Sequence, residues 1–211
     1  MTQSMLEIRN LKKKYKNSER TILNNINLSI DEEDFLCVLG PSGCGKSTMI
    51  RCIAGFEDYD GSVTVSGESV VKPGPDRIMV FQDFNQLFPW KTVEGYPDQL
   101  SGGMMQRAAL ARALACDASY LLMDEPFAAL DAMTRKQLQK ELIKIKEKEK
   151  MTVLFITHNI QEAISLGNRI MVMSKDGVIK ELMDNPIKKP VTPVSEGYGE
   201  LWEHLNNLLT Q

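Results

Sequence analysis

The segment FLCVLGPSGCGKSTMIRCIAG, residues 35 to 55, constrains this chain more than any other. An apolar run of strand length enters a glycine-rich turn carrying Gly40, Gly45, Lys46 and Ser47 in the spacing GxxxxGK[ST], and a helical pattern follows at once. Glycines let backbone N–H groups curl around phosphate oxygens, a helix N-terminus adds partial positive charge, and a lysine neutralises the β- and γ-phosphates. The fold must therefore contain a strand–loop–helix unit. Its loop, formed by Gly40, Pro41, Ser42, Gly43, Cys44, Gly45, Lys46, Ser47 and Thr48, is expected to cradle the phosphates of a nucleotide, with Ser47 holding Mg²⁺.

A triphosphate site also needs a metal partner and a group that aligns water. The apolar run YLLM leads directly into Asp124 and Glu125. At the end of a strand, Asp124 is placed to hold the Mg²⁺ shell and Glu125 to polarise the attacking water.

The remaining pattern sets the architecture. Short β-type runs recur at LEIRNL, ILNNINLSI, FLCVLG, GSVTVSG and RIMVFQ, then at YLLMDE, TVLFITH, RIMVMS and VIKELM. Helical patterns occupy 46–55, 102–116, 131–149, 160–167 and 199–209. Strands come first in hairpins and then alternate with helices, which predicts a parallel α/β core carrying an antiparallel β lobe near the N-terminus. In RKQLQKELIKIKEKEK the alternating charges describe a solvated helix face. In the last helix Leu201, Trp202, His204, Leu205 and Leu208 form a stripe expected to dock on the domain. His204 reads there as a packing or surface residue, and KKPVTPVSEG before it reads as a linker.

With 43% apolar residues, the 211-residue chain can bury a proper core. A net charge of -3 offers no basic excess for capturing nucleic acid, so no nucleic-acid partner is expected. The N-terminal MTQSMLEIRNLKKKYK does not read as a secretory signal, and no apolar run approaches membrane-spanning length. If the protein works at a membrane, other chains must cross it. Cys37, Cys44, Cys52 and Cys116 lack metal-type spacing and read as reduced, mostly buried thiols.

The stretch LSGGMMQR, Leu100 to Arg107, followed by AALARALA, separates this chain from other nucleotide enzymes with the same loop. Together with the loop and the YLLMDE strand, it resembles the ATP-binding subunit of an ABC transporter. That family's signature is LSGGQ or a close variant, and Met104 here stands where glutamine is usual. The resemblance covers nearly the whole chain and implies a P-loop NTPase core with a mostly parallel sheet flanked by helices. It also implies further roles. Tyr15 would stack on adenine, Gln82 would sense Mg²⁺ and the γ-phosphate, and Asp131 would cross a dimer interface. His158 would reach the γ-phosphate, and Ser101, Gly102 and Gly103 would close on ATP held by a second copy of the chain. The same likeness implies permease subunits as partners, a solute-binding protein acting indirectly, and a peripheral position on the cytoplasmic face of the membrane. KPGPDRIMVFQ and LFPWKTV are similar to ATPases of the nitrate, sulfonate and taurine importer group. An ABC-type ATPase outside transport is the alternative, but such proteins usually carry a second cassette or long inserted arms.

The family places a helical subdomain between the glutamine loop and the signature. Here only 18 residues separate Gln82 from Ser101, so the family pattern predicts that about forty residues are absent between Val93 and Tyr96. The segment is naturally short, deleted, or incompletely read; its family-like flanks favour the last two. The expected division of one ABC-type domain is 1–82 and 101–187 as core and β lobe, 83–100 as the shortened remnant, and 188–211 as C-terminal linker and helix. A module that binds ATP with impaired transport coupling is the corresponding second functional expectation.

Overall fold

The computed structural model describes residues 6–16, 18–81, 118–128 and 130–210. Two sheets organise them. Strands β1 (Leu6–Lys14), β2 (Thr21–Ile30), β4 (Asp60–Val65) and β5 (Glu68–Ser69) form an antiparallel sheet in the order β2-β1-β4-β5. The second sheet joins β3 (Phe35–Leu39), β6 (Arg77–Val80), β7 (Tyr120–Asp124), β8 (Thr152–Ile156), β9 (Arg169–Met173) and β10 (Ile179–Asp184) in the order β10-β9-β3-β8-β7-β6. All its neighbours are parallel except β10, which returns antiparallel beside β9.

Side-chain alternation along the strands builds two cores, one on each face of the larger sheet. Leu36, Val38, Leu122, Leu154, Ile156 and Met171 face helix α1 (Lys46–Ala54) and the antiparallel sheet. Phe35, Cys37, Leu121, Val153, Phe155 and Val172 face the opposite way, toward α2 (Ala132–Glu149), α3 (Ile160–Leu166) and α4 (Tyr198–Thr210). Strands β3, β7 and β8 are buried at every residue, which explains their unbroken apolar runs. The loops that follow them open at one edge of the sheet, where ligands bind in open parallel sheets.

The expected strands are all present, and helices at 46–55, 131–149, 160–167 and 199–209 appear within a residue or two of those limits. The expected helix at 102–116 lies outside the described residues, as do Gln82, Ser101, Gly102, Gly103 and Cys116. Two details differ from expectation. The two-residue β5 was not foreseen, because Glu68 and Ser69 carry no apolar signal. The docking stripe of α4 runs through Tyr198, Leu201, Leu205 and Leu208, whereas Trp202 is 41% exposed and His204 turns outward. Spacings of three, four and three residues align the first set on one helical face, and Trp202 and His204 fall off it. His204 pairs with Glu181 on β10 at 3.0 Å. Cys37, Cys44 and Cys52 are buried free thiols, and burial pushes Cys52 up to about 12.

Candidate nucleotide site

Gly45 ends the loop with φ at +103°, where a side chain would be strained. A Cβ at this position would also meet the Ile22 carbonyl at 2.8 Å, so glycine lets the loop press against β2. Gly45 caps α1 without a side chain, and no acidic residue occupies the first turn. The helix start thus offers its backbone N–H groups to an anion. A cleft of about 460 Å³ opens over it, lined by Ile22, Ser42, Gly43, Gly45, Lys46, Ser47, Thr48 and Glu125.

Lys46 is buried at the base of this cleft, donating to the carbonyls of Gly40 at 2.7 Å and Pro41 at 3.0 Å. Ser47 Oγ donates to Asp124 Oδ1 at 3.0 Å, so the loop and the end of β7 meet. Burial raises Asp124 above the ordinary carboxylate value of 3.8; the Ser47 hydrogen bond opposes the rise and the adjacent Glu125 charge adds to it. Asp124 makes no ion pair among the described residues. Asp34, at the opposite end of the sheet, is the structural counterpart: its carboxylate is neutralised by Arg169 at 2.7 Å. A hydroxyl beside a buried carboxylate with no ion-pair partner among the described residues is a hard-oxygen pair of the kind Mg²⁺ takes when phosphates complete its shell. The residues present fit that ion.

Glu125 adopts φ at +47°, a left-handed conformation that turns it off the strand axis into the cleft. Its Oε2 lies 2.9 Å from Nδ1 of His158, which follows β8 and keeps a 65% exposed side chain. Adjacent parallel strands β7 and β8, with Asp124 opposite Ile156, set this pairing. Asp131 caps α2, accepting from the backbone N–H groups of Met133 and Thr134 at 3.0 Å each. Hydrogen bonding from the Thr134 side chain first, and then from these backbone groups, lowers its pKa. Tyr15 lies just beyond β1 and lines a neighbouring cavity with Lys12, Lys13, Asp58 and Tyr59. It is not among the residues lining the loop cleft.

One group beside the site had no sequence signal. Glu162 is buried, with Oε2 accepting from Thr157 at 2.5 Å and Oε1 from Gln139 at 3.2 Å. Arg135 approaches Oε1 at 3.6 Å and also donates to the Leu130 carbonyl at 3.0 Å. These contacts tie the turn before His158 to the loop before Asp131. Arg135 and Gln139 lie in a charged run that reads as wholly solvated, so only contact geometry reveals them.

The ABC transporter family model matches residues 23–96 and again 91–128. The chain is 41% identical to the aliphatic sulfonates import ATP-binding protein of Bacillus cereus over 214 residues, covering 85% of each. This chain belongs to the ABC transporter family. It is also 42% identical over 244 residues to an uncharacterised ABC transporter ATP-binding protein of Methanocaldococcus jannaschii, covering 97% of this chain and 91% of that one. The nitrate import ATP-binding protein of Synechococcus elongatus is 38% identical over 208 residues, covering 80% of this chain and 76% of that protein. Among solved structures, an ATP-binding cassette in a dimeric post-hydrolysis state bound to ADP and Pi aligns with a TM-score of 0.76 and 30% identity. It spans 86% of this chain and 99% of that one. The M. jannaschii alignment runs over 244 positions but spans 97% of 211 residues, about 205, so about 40 positions face a gap in this chain. The two family-model matches meet at residues 91–96.

Proposed function

We propose that this chain is the ATP-binding and ATP-hydrolysing subunit of an importer for small anions of the sulfonate or nitrate kind, acting at the cytoplasmic face of the membrane on separate permease subunits. A solute-binding protein would deliver cargo to those subunits. Among the described residues no helix is long and apolar enough to cross a membrane. The observation that carries the reading is the meeting, around one loop, of Ser47 with Asp124 and of Glu125 with His158.

The roles follow from position. Gly40 to Thr48 and the start of α1 bind the phosphates, and Lys46 exchanges its loop carbonyls for phosphate oxygens. Ser47 and Asp124 would hold Mg²⁺, with Gln82 assigned there by family likeness; the bound ion supplies charge neutralisation at the phosphates. Glu125 takes the proton of the attacking water, and His158 holds Glu125 in place and reaches the γ-phosphate. Tyr15 supplies the platform for the base. Ser101, Gly102, Gly103 and Asp131 are assigned by family likeness to act across an ATP-bridged pair of chains. The dimeric cassette bound to ADP and Pi supports that arrangement. ATP closes the pair and loss of the γ-phosphate releases it.

ATP-dependent phosphate release by the purified protein with Mg²⁺ is the expected result. Its complete absence alongside retained ATP binding would leave a nucleotide-binding module and overturn the enzymatic reading.

A second reading rests on the gap of about 40 aligned positions. The chain is one ABC-type domain with core and β lobe at 1–82 and 101–187 and a C-terminal linker and helix at 188–211. Its remnant at 83–100 lacks the lobe that receives the permease. ATP binding then persists while transport coupling is lost or severely weakened. Intact mass decides the premise, and full ATP-driven uptake by a reconstituted transporter containing the 23.8 kDa chain would contradict it.

A further inference from the structure

We propose that Lys13 and Glu57 form a clamp that fixes the Tyr15 ring as a one-sided platform, making both positioning residues for the nucleotide base. The inference rests on the reading of Tyr15 as that platform. Tyr15 donates its hydroxyl to Glu57 Oε1 at 3.2 Å. The other carboxylate oxygen, Oε2, pairs with Lys13 Nζ at 3.0 Å. Lys13 in turn lies over the Tyr15 ring, 4.9 Å from its centroid, and also donates to the Asp58 carbonyl. The three side chains thus close a cycle: carboxylate to hydroxyl, carboxylate to ammonium, ammonium to ring.

The cycle has two consequences. One ring face is taken by the ammonium, which leaves the opposite face for a base, and the hydroxyl bond stops the ring from turning. Lys13 itself is committed. Its side chain is only 10% exposed, and although burial alone would lower its pKa, the Glu57 hydrogen bond and charge raise it. A cation so held is a brace, not a free phosphate ligand.

The experiment is calorimetric titration with Mg-ATP and, separately, with Mg²⁺ and inorganic tripolyphosphate, which has phosphates but no base. Releasing a fixed side chain predicts that Lys13→Met weakens ATP binding about threefold to tenfold, leaving tripolyphosphate affinity unchanged. Tyr15→Ala, which removes the stacking surface, should weaken ATP by about tenfold or more. Adding Lys13→Met to Tyr15→Ala should cost nothing further, since the brace has nothing left to hold. Lys13→Arg should restore most of the affinity. If Lys13→Met fails to fold, Glu57→Gln must show the same selective loss, with tripolyphosphate binding as the control for an intact loop. Equal loss for both ligands, or additive loss in the double variant, overturns the clamp. Undiminished ATP affinity in Tyr15→Ala overturns the platform itself, and the clamp with it. A silent Lys13→Met beside a weakened Tyr15→Ala removes only the clamp.

Discussion

Two lysines show how differently the two sheets serve the site. Lys46, at the end of the parallel sheet, is 6% exposed and bonds only to backbone carbonyls of its own loop. Lys13, on the antiparallel sheet, bonds to a carboxylate 44 positions away in sequence and leans on a ring. The first is placed by local chain geometry, because strand, loop and helix start follow one another. The second is placed chiefly by the Glu57 carboxylate and the Asp58 carbonyl from the segment after α1, so it depends on tertiary packing. Backbone-held parts of the site should tolerate little change and act directly on phosphate. Side-chain-held parts should fail gradually and act on the base.

The largest expected effect sharpens that division at the loop. Removing a charge-assisted contact worth about 1.5–3 kcal/mol, Lys46→Ala should lower ATP affinity roughly tenfold to hundredfold by calorimetry. Unchanged affinity would remove the phosphates from this loop. A middle-sized effect lies beside the proposed catalytic carboxylate. Glu162→Ala strands Thr157 and Gln139 and leaves Arg135 without its carboxylate, which should cost about 1–3 kcal/mol and several degrees of Tm. Glu57→Ala, in the bend between α1 and β4 where the carboxylate and its partners stay partly exposed, should cost less than about 1 kcal/mol. Equal losses at the two glutamates would break the comparison.

The smallest effect has the opposite sign. The folded-state pKa of Asp124 lies above 3.8, so the folded chain holds this proton more tightly than the unfolded chain. Its contribution is most favourable at acid pH below 3.8 and is lost as pH rises through the folded value; at neutral pH the ionised carboxylate is a liability. Asp124→Asn should therefore raise stability at pH 7, read as a higher Tm, while weakening Mg²⁺-dependent nucleotide binding. The stability difference should shrink toward acid pH. A drop in Tm at pH 7 would mean the carboxylate is not held at a cost to the fold.

Much of this was legible in sequence because burial on both faces forces continuous apolar runs. Strands β3, β7 and β8 could be read from FLCVL, YLLMD and TVLFI, and their last residues pointed to the loop, the carboxylates and His158. Glu125 and His158 come together because their strands are neighbours, a fact of sheet order that the residue pattern does not encode. Glu162 with Arg135, and Glu57 with Lys13, are joined only through space. Their charges look like ordinary surface charge until the helices and hairpins are docked. The docked stripe of α4 is narrower than residue type alone suggests, since Trp202 is apolar by type yet lies at the helix edge.

The central claim is that Glu125, held by His158 over the phosphate loop, takes the proton from water during ATP hydrolysis. Glu125→Gln tests it most directly, with phosphate release and ATP affinity measured on the same preparation. Binding close to wild type, turnover nearly abolished and an ATP-bound dimer trapped on size exclusion are the predicted results. Full hydrolysis by that variant would contradict the account.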